Sequence, residues 1–341
     1  MLAAVLIKPG QLEIHEVERP KAGPGEIILK VEAALTCGTD IKAFKRGHPK
    51  MPMPTLFGHE FSGTVVEVGQ DVKLFKVGDP VMSVHSAPCN TCFYCNKGQQ
   101  NLCDRLMGAK VLGAYAEYIK LPRHILEQNA FKKPSNISFP EAAMLEPLAC
   151  VIYGLEQFSI TEDDVVAVLG AGPIGLLQVA ALKAYGVKKT ILCGRHKNRL
   201  DMGLNLGADK VIDVDKSDPV KGIFAETDGR GADLVIESTG KPDVWESTLS
   251  MVRKGGNILL FGGCPSGTTA CFDTARLHYN EITLKGVFHF TPLAVRKACE
   301  ILSSGKINVR PLITAELPLK ELPKAFDLLM AGEGVKYALI P

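Results

Sequence analysis

A chain of 341 residues with 46% apolar and 22% charged residues has ordinary globular composition and is too long for one ordinary core, so two domains are expected. A formal net charge of +2, without a long basic run, excludes a nucleic-acid footprint and a polybasic membrane contact. No apolar run reaches the length of about eighteen residues that a spanning helix needs.

The N-terminal MLAAVLIKPG has no basic leader and no small-residue cleavage site. It reads as a first strand, and the expected location is the cytoplasm. Up to about residue 150 the chain is rich in Gly, Pro and short Val/Ile runs: EIILKVEAAL, FSGTVVEVG, DPVMSV and AEYIKLP. Runs this short, bounded by turn residues, predict a β-rich domain. Three fragments of it carry metal-ligand types. TCGTD puts Cys37 beside Thr39 and Asp40, GHEFSG puts His59 next to Glu60, and LEPLAC puts Glu146 before a proline. Cysteine, histidine and carboxylate are the usual zinc ligands. Each alone is more often a core thiol, a turn histidine or a solvated acid. Only a fold can bring residues 37, 59 and 146 together.

CNTCFYCNKGQQNLC supplies Cys89, Cys92, Cys95 and Cys103 within fifteen residues. Spacings this short let one loop wrap four thiolates around a tetrahedral ion. Disulfides fit poorly with a cytoplasmic chain, and the bacterial ferredoxin run has a shorter last spacing followed by proline. Four thiolates leave no open position, so a zinc held here is structural.

The pattern changes near residue 155. DVVAVLGAG, KTILCG, KVIDV, ADLVIEST and GNILLFGG read as strands, with helical stretches such as IGLLQVAALKAYG and NRLDMGLNLGA between them. Strand–helix alternation predicts a doubly wound parallel sheet, hence a mixed α/β fold. The turn GAGPIG joins the first such strand to its helix and offers Gly170, Gly172, Pro173, Ile174 and Gly175 to a dinucleotide. Its glycines serve the tight turn, the approach to pyrophosphate and helix–strand packing. About twenty residues further on, this fold often carries an acid that binds the adenosine ribose. Here stand Gly194, Arg195 and His196, with Lys197 and Arg199 following. A guanidinium fork suits a phosphate, and cations are disfavoured at a helix start without an anionic partner. The expected cofactor is therefore NADP(H), with NAD(H) as the alternative.

CGTD, GHE, the four-cysteine run, EPL and GAGPIG, in this order and at these intervals, resemble the zinc-dependent medium-chain dehydrogenase/reductase family, nearest its polyol (sorbitol-type) and threonine dehydrogenase branch. The resemblance covers essentially the whole chain. It implies a GroES-like β-rich catalytic domain of residues 1–152 and 291–341 and a Rossmann domain of residues 153–290. It implies two zinc ions per chain, the catalytic one in the cleft between domains. Cys37, His59 and Glu60 are its implied ligands, with Glu146 touching it through water or by exchange. Thr39 is the implied first member of a proton relay. Where relatives commonly end that relay with a histidine, this chain has Lys42. Phe57, Tyr115 and His289 are pocket candidates by position. The implied reaction passes hydride between a polyol, sugar or other secondary alcohol, or its ketone, and NADP(H). An L-threonine 3-dehydrogenase, a general NAD-linked alcohol dehydrogenase and an inactive NADPH-binding relative are the alternatives. The implied assembly is a homodimer or homotetramer formed through the Rossmann sheets.

Overall fold

Val165–Leu169 is buried at every position, a pattern found in strands whose two sheet faces are both covered. It lies inside a six-stranded parallel sheet with spatial order Lys210–Asp213, Lys189–Gly194, Val165–Leu169, Ala232–Glu237, Val252–Leu260, Thr283–Gly286. The first three strands step outward in one direction, and the fourth returns to the other side of the first. The carboxyl end of Val165–Leu169 is thus the switch point at which doubly wound sheets bind ligands. The computed structural model describes residues 1–48 and 51–341. Two units are distinguished, residues 1–150 with 290–341 and residues 151–289, and this sheet belongs to the second.

Helix Pro173–Ala184 starts at that switch point, with Gly172 as N-cap and Pro173 in its first turn, where a missing N–H costs nothing. Residues Gly175 to Leu182 are buried without interruption, so this helix has no polar face. A side chain at Gly175 would overlap the Gly170 carbonyl, whereas nothing lies near a Cβ built on Gly172. One glycine lets the helix sit against its strand, and the other keeps its approach open.

The first unit is built on a seven-stranded sheet of order Ile313–Pro318, Lys336–Ile340, Ile27–Leu35, Glu60–Val68, Pro80–Ser83, Ala130–Lys132, with Tyr118–Leu121 also paired to Ile27–Leu35. A second sheet joins Gln11–Glu16, Leu2–Lys8 and Thr55–Leu56. The C-terminal strand Lys336–Ile340 reads only weakly as a strand in sequence. It is held by registry: Leu35 faces Glu60 on one side and Ala338 on the other. The last residues of the chain therefore stand beside the start of Glu60–Val68.

Phe57 and Tyr115, expected at a substrate pocket, lie in the core of this unit instead. Both are fully buried and pack edge-on with Phe326, with ring centroids 5.9 Å to 6.4 Å apart. An aromatic enclosed by other side chains contributes packing rather than a contact surface.

The two glycines of the turn separate folding from binding. Gly175→Ala is expected to cost about 1–3 kcal/mol of stability, as overpacking does, and to lower the melting temperature. Gly172→Ala is expected to leave stability within about 0.5 kcal/mol of the native protein, as at an open surface position, while weakening dinucleotide affinity. Thermal melts and fluorescence titration with NADPH check both. Equal destabilisation by the two substitutions would contradict this division.

Candidate active site and metal centres

Strand Ile27–Leu35 runs out through Thr36 into helix Gly38–Arg46, and Cys37 is the N-cap of that helix. Its Sγ accepts from the Thr39 N–H at 3.4 Å. That contact fixes the sulfur at the start of the helix. His59 and Glu60 arrive from the neighbouring strand. The bend before them is made by Gly58, whose φ is +88° and whose missing Cβ would strike the Tyr115 ring. No other residue type satisfies both conditions there.

Helix and strand together place ligand atoms of Cys37, His59 and Glu60 within 4.8 Å of one another. Asp40, one turn into the helix, sets the imidazole. Its Oδ1 lies 3.0 Å from His59 Nδ1, and its Oδ2 accepts from the Tyr115 hydroxyl at 2.6 Å. A ring that donates from Nδ1 to this carboxylate offers Nε2 to a metal. Tyr115 thus has a role that its position in sequence did not show: it steadies the residue that orients His59. Glu60 is fully buried, and its Oε2 receives the ammonium of Lys336 at 2.5 Å. Among the described residues its Oε1 is buried with no hydrogen-bond partner.

Glu146 is not part of this trio. It sits near the start of helix Leu145–Leu155, with His85 Nδ1 3.4 Å and Cys150 Sγ 3.8 Å from its Oε1. The His85 and His59 rings are 5.1 Å apart. Thr39 and Lys42 are exposed on the first turns of helix Gly38–Arg46. His289 is the last residue of the second unit and has a left-handed φ of 64°.

The electrostatics of the trio favour a cation. Burial opposes charge on His59, yet Asp40 and Cys37 raise it well above the ordinary histidine range. Burial likewise opposes charge on Lys336, and Glu60 and Cys37 more than offset it. Glu146 is pushed up to about 7, first by burial and then by Glu60 and Asp40. Buried acids, a thiol and a histidine lone pair in one place form a site for a divalent ion. The unpartnered Glu60 oxygen is the atom that such an ion would satisfy.

The four-cysteine run forms a second cluster, with all four sulfurs within 4.8 Å of one another and all ten cysteines of the chain free of disulfides. The Cys89 N–H donates to Cys103 Sγ at 3.3 Å, which closes the loop on itself. Hydrogen bonds from Thr91 bring Cys89 down to about 5, and burial pushes Cys95 up to about 12. The loop is tied down by Asn90, which donates to Gln128 and accepts from Gln100, both at 2.8 Å. Four sulfurs and no other donor fit a closed tetrahedral site.

In the second unit the GAGPIG turn opens on a cavity of about 310 Å³. Gly170, at φ 116°, donates to the Cys193 carbonyl at 2.7 Å and so docks the turn on the neighbouring strand. Gly170, Gly172, Gly194, Arg195, Arg199 and Lys241 all line the cavity. Lys241 was not anticipated, because it lies far along the chain, just before helix Pro242–Ser247. Pro173 and Ile174 begin the helix behind the turn. Strand Lys189–Gly194 extends through Gly194, which pairs with Asp213. A Cβ on Gly194 would stand 2.5 Å from that of Ala171 and 2.9 Å from its backbone nitrogen. An aspartate therefore cannot be accommodated there without moving the turn. Arg195 is exposed, with its Nε 3.1 Å from Asp215 Oδ1, while burial lowers Arg199 from the usual guanidinium range.

Comparison with known proteins agrees with this geometry. Residues 23–134 match the alcohol dehydrogenase GroES-like domain, and residues 173–304 match the zinc-binding dehydrogenase domain. An L-threonine 3-dehydrogenase from Bacillus licheniformis is 33% identical over 100% of this chain and 99% of its own. A sorbitol dehydrogenase from Bacillus subtilis is 30% identical over 100% of this chain and 97% of its own. Among solved structures, a zinc-binding dehydrogenase fold from Sinorhizobium meliloti 1021 with NADP bound superposes with a TM-score of 0.90 at 30% identity, covering 100% of this chain and 99% of that one. The chain belongs to the zinc-dependent medium-chain dehydrogenase/reductase family, oxidoreductases that act on CH–OH donors and are built from a GroES-like domain and a Rossmann-type parallel-sheet domain.

Proposed function

We propose that this protein oxidises a polyol, sugar or other secondary alcohol, or reduces the matching ketone, with NADP(H) and one zinc held by Cys37, His59 and Glu60. The observation that carries the reading is the buried Glu60 Oε1, left without a partner beside the Cys37 and His59 ligand atoms. When bound, zinc supplies Lewis acidity toward the substrate oxygen and the nicotinamide supplies the two-electron redox chemistry. The chain's own residues do the rest. Asp40 fixes the His59 tautomer, Tyr115 fixes Asp40, and Cys37 is held at its helix start by the Thr39 N–H. Glu146, paired with His85 and pushed up to about 7, is able to hold or release a proton beside the trio near neutral pH. Thr39 and Lys42 remain relay candidates.

The second zinc belongs to Cys89, Cys92, Cys95 and Cys103 and serves folding. NADP(H) is favoured over NAD(H) because Gly194 stands where relatives that use NAD have an acid, and the same cavity wall offers Arg195, Arg199 and Lys241. A second reading, an L-threonine 3-dehydrogenase, is favoured by the 33% identity to the Bacillus licheniformis enzyme of that name. A panel of polyols, sugars, simple secondary alcohols and L-threonine, run with both cofactors, decides between the two.

Metal counting tests the two sites separately. The native protein is expected to hold two zinc ions per chain. Cys37→Ser should hold one, stay folded, still bind NADPH and lose turnover. Cys103→Ser should lose soluble yield or thermal stability, since structural zinc contributes folding energy directly. Normal turnover in folded Cys37→Ser would sink the assignment.

Cofactor preference tests the cavity. A hydrogen bond to a charged group is worth about 1.5–3 kcal/mol, or roughly ten- to a hundred-fold in preference. Arg195→Leu and Arg199→Leu should each reduce kcat/KM with NADP by about that factor and leave NAD nearly unaffected. A native enzyme with the higher kcat/KM for NAD would overturn the reading.

A further inference from the structure

Lys336 is the least expected residue of the metal centre. It lies 276 positions from Glu60 in sequence, no motif contains it, and it is 1% exposed. A lysine is almost never this buried unless it is paired. Its ammonium makes two contacts, to Glu60 Oε2 at 2.5 Å and to the Thr36 carbonyl at 2.8 Å. Thr36 directly precedes Cys37, so one ammonium joins the two segments that carry the anionic ligands of the trio. The neighbouring residue repeats the link through the backbone. The Tyr337 N–H donates to Thr36 Oγ1 at 2.9 Å, and the Thr36 N–H donates to the Tyr337 carbonyl at 3.0 Å.

We propose that Lys336 is a positioning residue for the catalytic metal: held in place by the Thr36 carbonyl, it takes one oxygen of Glu60 and so aims the other at the ion. The inference rests on Glu60 being a metal ligand, as proposed above. Two observations and one consequence of removing the ammonium support the split. One Glu60 oxygen is on lysine, and the other is buried and unpartnered. Removing the ammonium would leave both oxygens of a buried carboxylate without partners, free to turn or to pair elsewhere. The strand registry that puts Ala338 and Glu60 on either side of Leu35 delivers Lys336 to this place, which couples the end of the chain to the geometry of the site.

The test is a comparison of zinc affinity at this site in the full-length protein, by competition with a chromogenic chelator. The four-cysteine zinc serves as internal standard. The visible absorption of the cobalt-substituted protein is read in parallel. Lys336→Met is expected to weaken the metal about ten- to a hundred-fold, as loss of a ligand's outer partner does, to change the cobalt spectrum, and to leave the four-cysteine zinc in place. Lys336→Arg, which keeps the charge and donors, should recover most of that affinity. In a Glu60→Gln background, Lys336→Met should cost nothing more. The double variant buries no unpaired charge, so it supplies this comparison even if Lys336→Met alone fails to fold. An additional loss in that background, or unchanged affinity in folded Lys336→Met, overturns the proposal. Unchanged affinity in Glu60→Gln alone is a different failure, because it removes Glu60 as a ligand.

Discussion

The interior of the first unit concentrates negative charge, and the rest of the site follows from managing it. Asp40, Glu60 and Glu146 are all buried within reach of one another's fields, with the Cys37 thiol beside them. A single buried carboxylate is costly unless it is paired or protonated. Three in one region require fixed partners and at least one cation. The protein supplies part of this itself: Tyr115 and the His59 N–H for Asp40, Lys336 for Glu60, His85 for Glu146. Each carboxylate thus has a dedicated partner, and one Glu60 oxygen is still left over. That residual demand is what the divalent ion proposed for the trio would satisfy.

This arrangement also explains how the packing serves the chemistry. Tyr115, Phe57 and Phe326 form an edge-to-face core, and the hydroxyl of one of them emerges at Asp40. Core rigidity is passed to His59 through two hydrogen bonds, which is how a ligand ring keeps its orientation before metal arrives. Gly58 belongs to the same device, because its empty Cβ position is filled by the Tyr115 ring. The GHE motif therefore encodes a packing contact as much as a pair of ligands.

Much of the fold was legible in the sequence because its signals are local. Buried strands alternating with helices, GAGPIG between a strand and a helix, and four cysteines in one loop each carry their meaning within a few residues. The grouping of Cys37, His59 and Glu60 was legible only through the order and spacing of several motifs, since nothing local brings residue 37 to residues 59 and 60. Lys336, His85 and Lys241 escaped notice because their meaning lies in registry and burial. A lysine before YALIP resembles any surface lysine until antiparallel pairing with Ile27–Leu35 turns it inward. Phe57 and Tyr115 were misplaced for the complementary reason. Aromatics near a ligand motif suit a pocket wall and a core equally well, and only the presence of Phe326 against them decides.

The second unit meets the opposite electrostatic problem with opposite means. Here the ligand is the anion, and the protein presents positive charge: helix and turn N–H groups at GAGPIG, with Arg195, Arg199 and Lys241 on the cavity wall. Gly194 contributes in two ways. Having no side chain, it brings no carboxylate to repel a phosphate, and its empty Cβ position lets the Gly170–Ala171 turn close onto the strand end. An acid at this position would therefore alter both charge and shape. If the proposed preference for NADP holds, it rests on the backbone packing of the turn as well as on the arginines, so exchanging the arginines alone should loosen NADP without creating a good site for NAD. The two centres share one principle: each is shaped by what the fold leaves unsatisfied, an oxygen in one unit and a set of donors in the other.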